Sequence, residues 1–150
     1  MLPGLADNRH GTGMSTSDGR FKRNVKENVA GLDFILKLRS VTYTWNLKSL
    51  DIYMGLPDSI SDRSADSRQV QGKIVHTGFI AQEVEQAAKE IGFDFDGVHI
   101  PTGENDPYSL AYAEFVVPLV KAVLEQQQMI EQQNKAIEML KKEIELLKKQ

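Results

Sequence analysis

VVPLVKAVLEQQQMIEQQNKAIEMLKKEIELLKK, residues 116–149, repeats its apolar character every seven residues. Val116, Val123, Ile130, Ile137 and Ile144 share one heptad position, and Leu119, Gln126, Gln133, Leu140 and Leu147 share the second. A 3.5-residue average spacing of this kind predicts a coiled-coil helix over residues 115–150. Glu143 and Lys148 take positions flanking the seam, where opposite charges pair between helices. Gln126 and Gln133 would be buried in that seam, and an amide taken out of water needs a partner; the symmetric neighbour supplies one. A helix folding back on its own head is the alternative, but no glycine or proline follows Pro118 to end the pattern. β-Branched residues at the first seam position with leucine at the second favour two strands by simple packing. The heptads therefore predict self-association without by themselves giving a trimer.

Working outward, the whole chain has 150 residues, 41% of them hydrophobic, enough for one ordinary domain with a core. Its net charge of −3 lacks the basic footprint of a nucleic-acid binder. There is no cysteine, which removes disulfides, thiolate metal sites and thiol nucleophiles together. The apolar runs fall well short of the roughly 20 residues that span a bilayer, so no membrane partner is expected. The N-terminus has no basic region followed by an apolar run, so a secretory signal is not expected either.

Residues 1–16 hold Gly4, Gly11 and Gly13 without apolar periodicity and read as an arm, the end of an upstream passenger or linker. A head follows over residues 17–114. Within it the patterning predicts a helix over 29–38, a strand at 41–45 stopped by Asn46, and a second strand at 73–79. It further predicts a helix over 81–91 and strands at 93–100 and 108–112. Residues 57–72 are mostly Ser, Asp, Arg and Gln and are expected to be a mobile loop. The fold class expected is α+β, a small mixed head followed by the long C-terminal helix.

Ser17-Asp18-Gly19-Arg20-Phe21-Lys22 lies where arm meets head. Taken locally it is turn chemistry: Gly19 can take positive φ and Asp18 can bond nearby N–H groups. The succession S-D-G-R-F-K, V-T-Y-T-W, H-T-G-F-I-A-Q-E-V, Y-S-L-A-Y and V-V-P-L-V-K-A-V, closing in a coiled coil, resembles the intramolecular chaperone auto-processing domain. Domains of that family end phage endosialidases, tail spikes, tail fibres and neck appendages, and some bacterial and eukaryotic proteins. The resemblance implies a homotrimer that templates its passenger's fold and then cuts itself off. It implies a scissile bond between Thr16 and Ser17, a catalytic dyad of Ser17 and Lys22, and a motif carboxylate at Asp18. Gln82 and Glu83, in G-F-I-A-Q-E-V, are candidate supports for the cleavage region, although a solvated helix face accounts for Glu83 as well. Phe21 stands where many relatives carry leucine. The implied setting is the host bacterial cytoplasm during virion assembly, the passenger passing into the virion and the released domain not.

Such chemistry has its own demands. A lysine serves as base only when unprotonated, so its pKa must fall from about 10.4 to about 7 or 8 through burial or a nearby cation. A five-residue spacing matches neither a helix face nor a strand face, so a turn at Asp18-Gly19 has to bring the two side chains together. No cofactor is expected, and scattered His10, His76 and His99 do not suggest a metal site. Tyr43 and Trp45 read as core residues before a sugar platform. Two function classes stand: a self-cleaving serine endopeptidase acting once in cis, and a non-catalytic trimerisation or host-attachment tip that stays on the fibre. A hydrolase of external substrates ranks last, since no other acid, base and nucleophile cluster is present.

Overall fold

The computed structural model describes residues 17–57 and 65–149. The arm, with Thr16 and His10, lies outside the described residues, as does Gln150. The elements are α1 (Leu32–Ile35), β1 (Val41–Tyr43), α2 (Leu47–Tyr53), α3 (Ala65–Gln71), β2 (His76–Gly78), α4 (Ala81–Glu90), β3 (Val98–His99), β4 (Ser109–Leu110) and α5 (Val116–Lys148). Two 3₁₀ turns, Gly19–Phe21 and Tyr112–Phe115, precede the head and α5 respectively. β1 pairs antiparallel with β2, Thr42 opposite Thr77, and β3 with β4, Val98 opposite Leu110. Among the described residues this is a mixed head with two small two-stranded sheets and a long C-terminal helix.

The core is aromatic. Phe34, the buried residue of α1, is 0% exposed. Its ring lies 5.3 Å from that of Phe93, 4.9 Å from Phe95 and 6.4 Å from Phe115. Phe79 and Phe95 both reach Phe115, at 5.3 and 4.8 Å. α4 closes this cluster with Ala81, Val84, Ala87 and Ala88, the apolar face expected of its 3.6-residue period. Small alanines let the helix approach the rings closely, and edge and offset ring contacts add to the area buried.

α5 joins the head through a different face from its seam. Pro118 and Ala122 are its buried residues. Pro118 falls in the first turn, where a missing N–H costs no intrahelical bond. Glu125 Oε accepts from the Leu32 N–H at 2.8 Å, capping the first turn of α1. A Cβ on Gly31 would stand 2.4 Å from the same carboxylate, so only glycine permits this approach. The fold-back alternative is thus partly realised: the first turns of α5 pack on their own head while Val116, Leu119, Val123, Gln126, Ile130, Gln133, Ile137, Leu140, Ile144 and Leu147 remain exposed.

Several expectations need correction. Residues 65–71, inside the expected loop, form α3, and its Arg68 bonds to Asp51, a nearly buried carboxylate on α2. Counting only apolar side chains missed that a buried charge requires a partner. α2 itself follows directly on Asn46, which caps it by accepting from the Ser49 N–H at 3.1 Å and so starts a helix as well as ending the strand. The helix expected over 29–38 contracts to one turn, because Gly31 must stay non-helical beneath Glu125. The strands are shorter than expected, β3 and β4 being two residues each. Tyr43 stacks on His76 and meets Trp45 edge to face, and Trp45 meets His76 edge to face, rather than entering the Phe34 core.

Phe34→Ala should destabilise the chain by about 3–5 kcal/mol, the cost of an emptied aromatic site. Urea unfolding followed by near-ultraviolet circular dichroism measures it; a loss under about 1 kcal/mol would mean that the rings do not hold the head together.

Candidate active site

The segment entering the head is built around one carboxylate. Asp18, extended at φ −72° and ψ 122°, is the N-cap of the Gly19–Phe21 turn, and its Oδ1 accepts from the Arg20 N–H at 2.9 Å. The Arg20 guanidinium returns onto the same carboxylate, Nε to Oδ2 at 2.9 Å and Nη2 to Oδ2 at 2.6 Å. Two backbone bonds complete the turn, Phe21 N–H to Asp18 C=O at 3.1 Å and Lys22 N–H to Gly19 C=O at 3.2 Å. Gly19 sits inside this 3₁₀ turn rather than at positive φ.

The turn folds five residues of chain back on themselves. Lys22 Nζ donates to Ser17 Oγ at 2.9 Å. The juxtaposition that neither helix nor strand spacing could give is thus supplied by a capped turn. As drawn, the ammonium donates; with the amine neutral the same contact reverses, and the Ser17 hydroxyl donates to nitrogen. A nucleophile and a base at hydrogen-bond distance are the minimum arrangement for serine chemistry. Thr16, whose carbonyl would be attacked, lies outside the described residues.

G-F-I-A-Q-E-V has a structural role of its own. Gly78 leaves room for the Tyr112 hydroxyl, 2.4 Å from where a Cβ would stand. That hydroxyl accepts from the Phe79 N–H at 3.1 Å and ties the end of β2 to the turn before α5. Ala81 and Val84 are buried.

One protein-family model, Peptidase_S74, described as chaperone of endosialidase, matches residues 17–93, beginning on Ser17 itself. The chain belongs to this chaperone-of-endosialidase family. No curated protein and no solved structure matches it significantly. Its family ties the chain to a chaperone role and to self-cleaving peptidase activity in general.

Within this chaperone-of-endosialidase domain, both Ser17 and Lys22 are exposed on the single chain. Gln82 and Glu83 are exposed on the first turn of α4, and neither hydrogen-bonds to Ser17 or Lys22. Glu83 instead forks onto Arg39, Oε1 to Nη2 at 2.5 Å and Oε2 to Nε at 3.1 Å, raising the Arg39 pKa. His76 stacks on Tyr43, and His99 pairs with Asp106 at 2.6 Å. Among the described residues no three metal-ligating side chains gather. Arg20, which grips the Asp18 cap, is the neighbour of the pair that sequence reasoning passed over. Arg20 had a readable signal, since a basic residue two positions after a capping aspartate can close onto it. Tyr112 closes the Y-S-L-A-Y motif, but its bond to Phe79, 33 residues away, could not be read from spacing.

The Asp18 carboxyl is held below its ordinary value of 3.8, chiefly by the Arg20 side chain and then by the Arg20 N–H. Because the folded value is lowered, the cap is complete above the ordinary carboxylate pKa and is lost as acid carries the group through its lowered value. A carbon-13 NMR titration should place the Asp18 midpoint below 3.8, and Arg20→Ala should raise it. An unchanged midpoint in Arg20→Ala would break the link between guanidinium and turn.

Proposed function

We propose that the chain is a C-terminal intramolecular chaperone that drives homotrimer assembly of an upstream passenger on the same polypeptide, a phage fibre or spike protein. It then releases itself by serine-dependent autoproteolysis between Thr16 and Ser17. The observation that carries this reading is the 2.9 Å contact of Lys22 Nζ with Ser17 Oγ, at the first residue of the family match. In the proposed reaction neutral Lys22 takes the Ser17 hydroxyl proton and Oγ adds to the Thr16 carbonyl carbon. The carbon–nitrogen bond breaks, the proton passes to the Ser17 nitrogen, and the resulting ester is hydrolysed by water. Thr16 leaves as a carboxylate, and the domain keeps Ser17 with a free amine.

The exposed heptad seam supports association. Val123 is 61% and Leu147 68% exposed on one chain, and such a stripe is covered by copies of itself in a coiled coil. The choice of three copies over two rests on the resemblance, since the seam chemistry alone favours two. Association also supplies what the single chain lacks. Burying Lys22 at an interface disfavours its charged form, so the cut would follow assembly. The domain boundaries proposed are a passenger end at 1–16, a head over 17–114 and a helix over 115–150. Folding and cleavage are placed in the host bacterial cytoplasm, after which the passenger alone joins the virion.

Intact mass of the chain fused to a longer upstream segment tests this, with wild type beside Ser17→Ala, Lys22→Ala and Lys22→Arg. Wild type should yield a fragment starting at Ser17. The variants should lose at least about 100-fold in rate, Lys22→Arg included, because a guanidinium keeps its proton. If all stay full length while light scattering reports a trimer, a permanent trimerisation or attachment tip is the better account.

A further inference from the structure

The turn that joins Ser17 to Lys22 uses only half of the Asp18 carboxylate. Its Oδ1 caps the turn by accepting from the Arg20 N–H at 2.9 Å. Its Oδ2 takes no part in the cap, yet Arg20 Nε and Nη2 both donate to it, at 2.9 and 2.6 Å. The guanidinium carbon also lies over the Phe21 ring, 5.7 Å from its centre. The Arg20 side chain is 82% exposed, so these two contacts, and not burial, hold it in place.

A free Oδ2 would compete for Lys22. Lys22 follows Asp18 by four residues, the spacing at which a carboxylate and an ammonium pair across a helical turn. Arg20 holds the Asp18 carboxyl below its ordinary value of 3.8, and even at that ordinary value it is an anion at neutral pH. An ion pair with it would favour the ammonium of Lys22 and draw Nζ away from Ser17 Oγ, and a lysine base needs the opposite on both counts. Instead Lys22 Nζ donates to Ser17 Oγ at 2.9 Å, and among the described residues it pairs with no carboxylate. The other charged side chains of this stretch, Arg23, Lys26 and Glu27, are exposed and make no ion pair among the described residues.

We propose that Arg20 is a positioning residue for self-cleavage: by occupying Asp18 Oδ2 it withholds that carboxylate from Lys22 and leaves the amine to Ser17. An arginine suits the task, because its planar fork engages a carboxylate through two N–H groups and keeps its charge at every pH at which a lysine loses a proton. Asp18 then serves the turn as a cap, and its negative charge is a liability that Arg20 cancels.

This inference rests on the self-cleavage proposed above. Its test is the rate of release of the Ser17 fragment between pH 6 and pH 10, followed by intact mass on the chain fused to a longer upstream segment. Wild type is compared with Arg20→Gln, Arg20→Lys, Asp18→Asn and the Asp18→Asn/Arg20→Gln pair, each first matched to wild type by circular dichroism. Near neutral pH Arg20→Gln should cut about 3- to 5-fold more slowly, the effect of one exposed ion pair. The rising limb of its pH–rate profile should move up by about 0.5–0.7 pH unit, so that the two rates converge at high pH. Arg20→Lys, still a cation for Oδ2, should recover part of the loss, and 0.5 M salt should narrow the gap by screening. Asn caps a turn about as well as Asp, so Asp18→Asn should still cut, and adding Arg20→Gln to it should change the rate by less than about 1.5-fold. An Arg20→Gln loss that is equal at every pH, or equal with and without the Asp18 charge, overturns the proposal, since Arg20 would then only brace the turn. A folded Asp18→Asn that does not cut also overturns it, because the carboxylate would then do more than cap. A wild type that stays full length overturns the self-cleavage reading, and the role of Arg20 with it.

Discussion

The Leu32 N–H, the Glu125 carboxylate and the glycine that lets them meet form the joint on which the rest of the structure depends. On one side of this joint, α1 sends Phe34 into the ring cluster that is most of the core. On the other, α5 continues for 33 residues with its seam turned away from the head. A single capped helix turn thereby couples a small head to a long helix with an exposed heptad stripe. A head with a core this small gains little from burial alone, and small domains commonly need an added source of stability. Here the packing of α5 on the head supplies part of it.

The candidate site stands on a separate and more local device. Asp18 caps a 3₁₀ turn, Arg20 grips the cap, and the turn sets Lys22 beside Ser17. None of these four side chains belongs to the core. The geometry of the pair therefore comes from hydrogen bonds among neighbours in sequence, and both side chains are exposed on the lone chain. The same arm that bears the pair leaves Phe21 and Val25 in water.

Much of the head was legible because its signals are local. The apolar period of Ala81 to Ile91 gave α4, the β-branched and aromatic run from Val41 gave β1, and the order of motifs pointed to the family. What was missed depended on distant partners. α3 is held to α2 by Arg68 and Asp51, an attraction that polar composition conceals. α1 was read too long because the carboxylate that stops Gly31 from joining it comes from Glu125, 94 residues later. Gln82 and Glu83 are candidate supports by membership of a motif whose Phe79 bonds to Tyr112 and whose Ala81 and Val84 are buried.

The sequence by itself determined the seam, the α4 face, and the presence of a serine and a lysine five residues apart at the entrance to the head, since each depends on periodicity or on spacing along the chain. Only the tertiary structure decided that α5 has two working faces, one on the head and one in water. It likewise decided that Gly31 and Gly78 are there to admit a carboxylate and a hydroxyl from far along the chain. The reason is physical: a heptad or a turn is specified by side chains within a few residues, whereas close approach and charge pairing are specified by whatever the folded chain brings alongside.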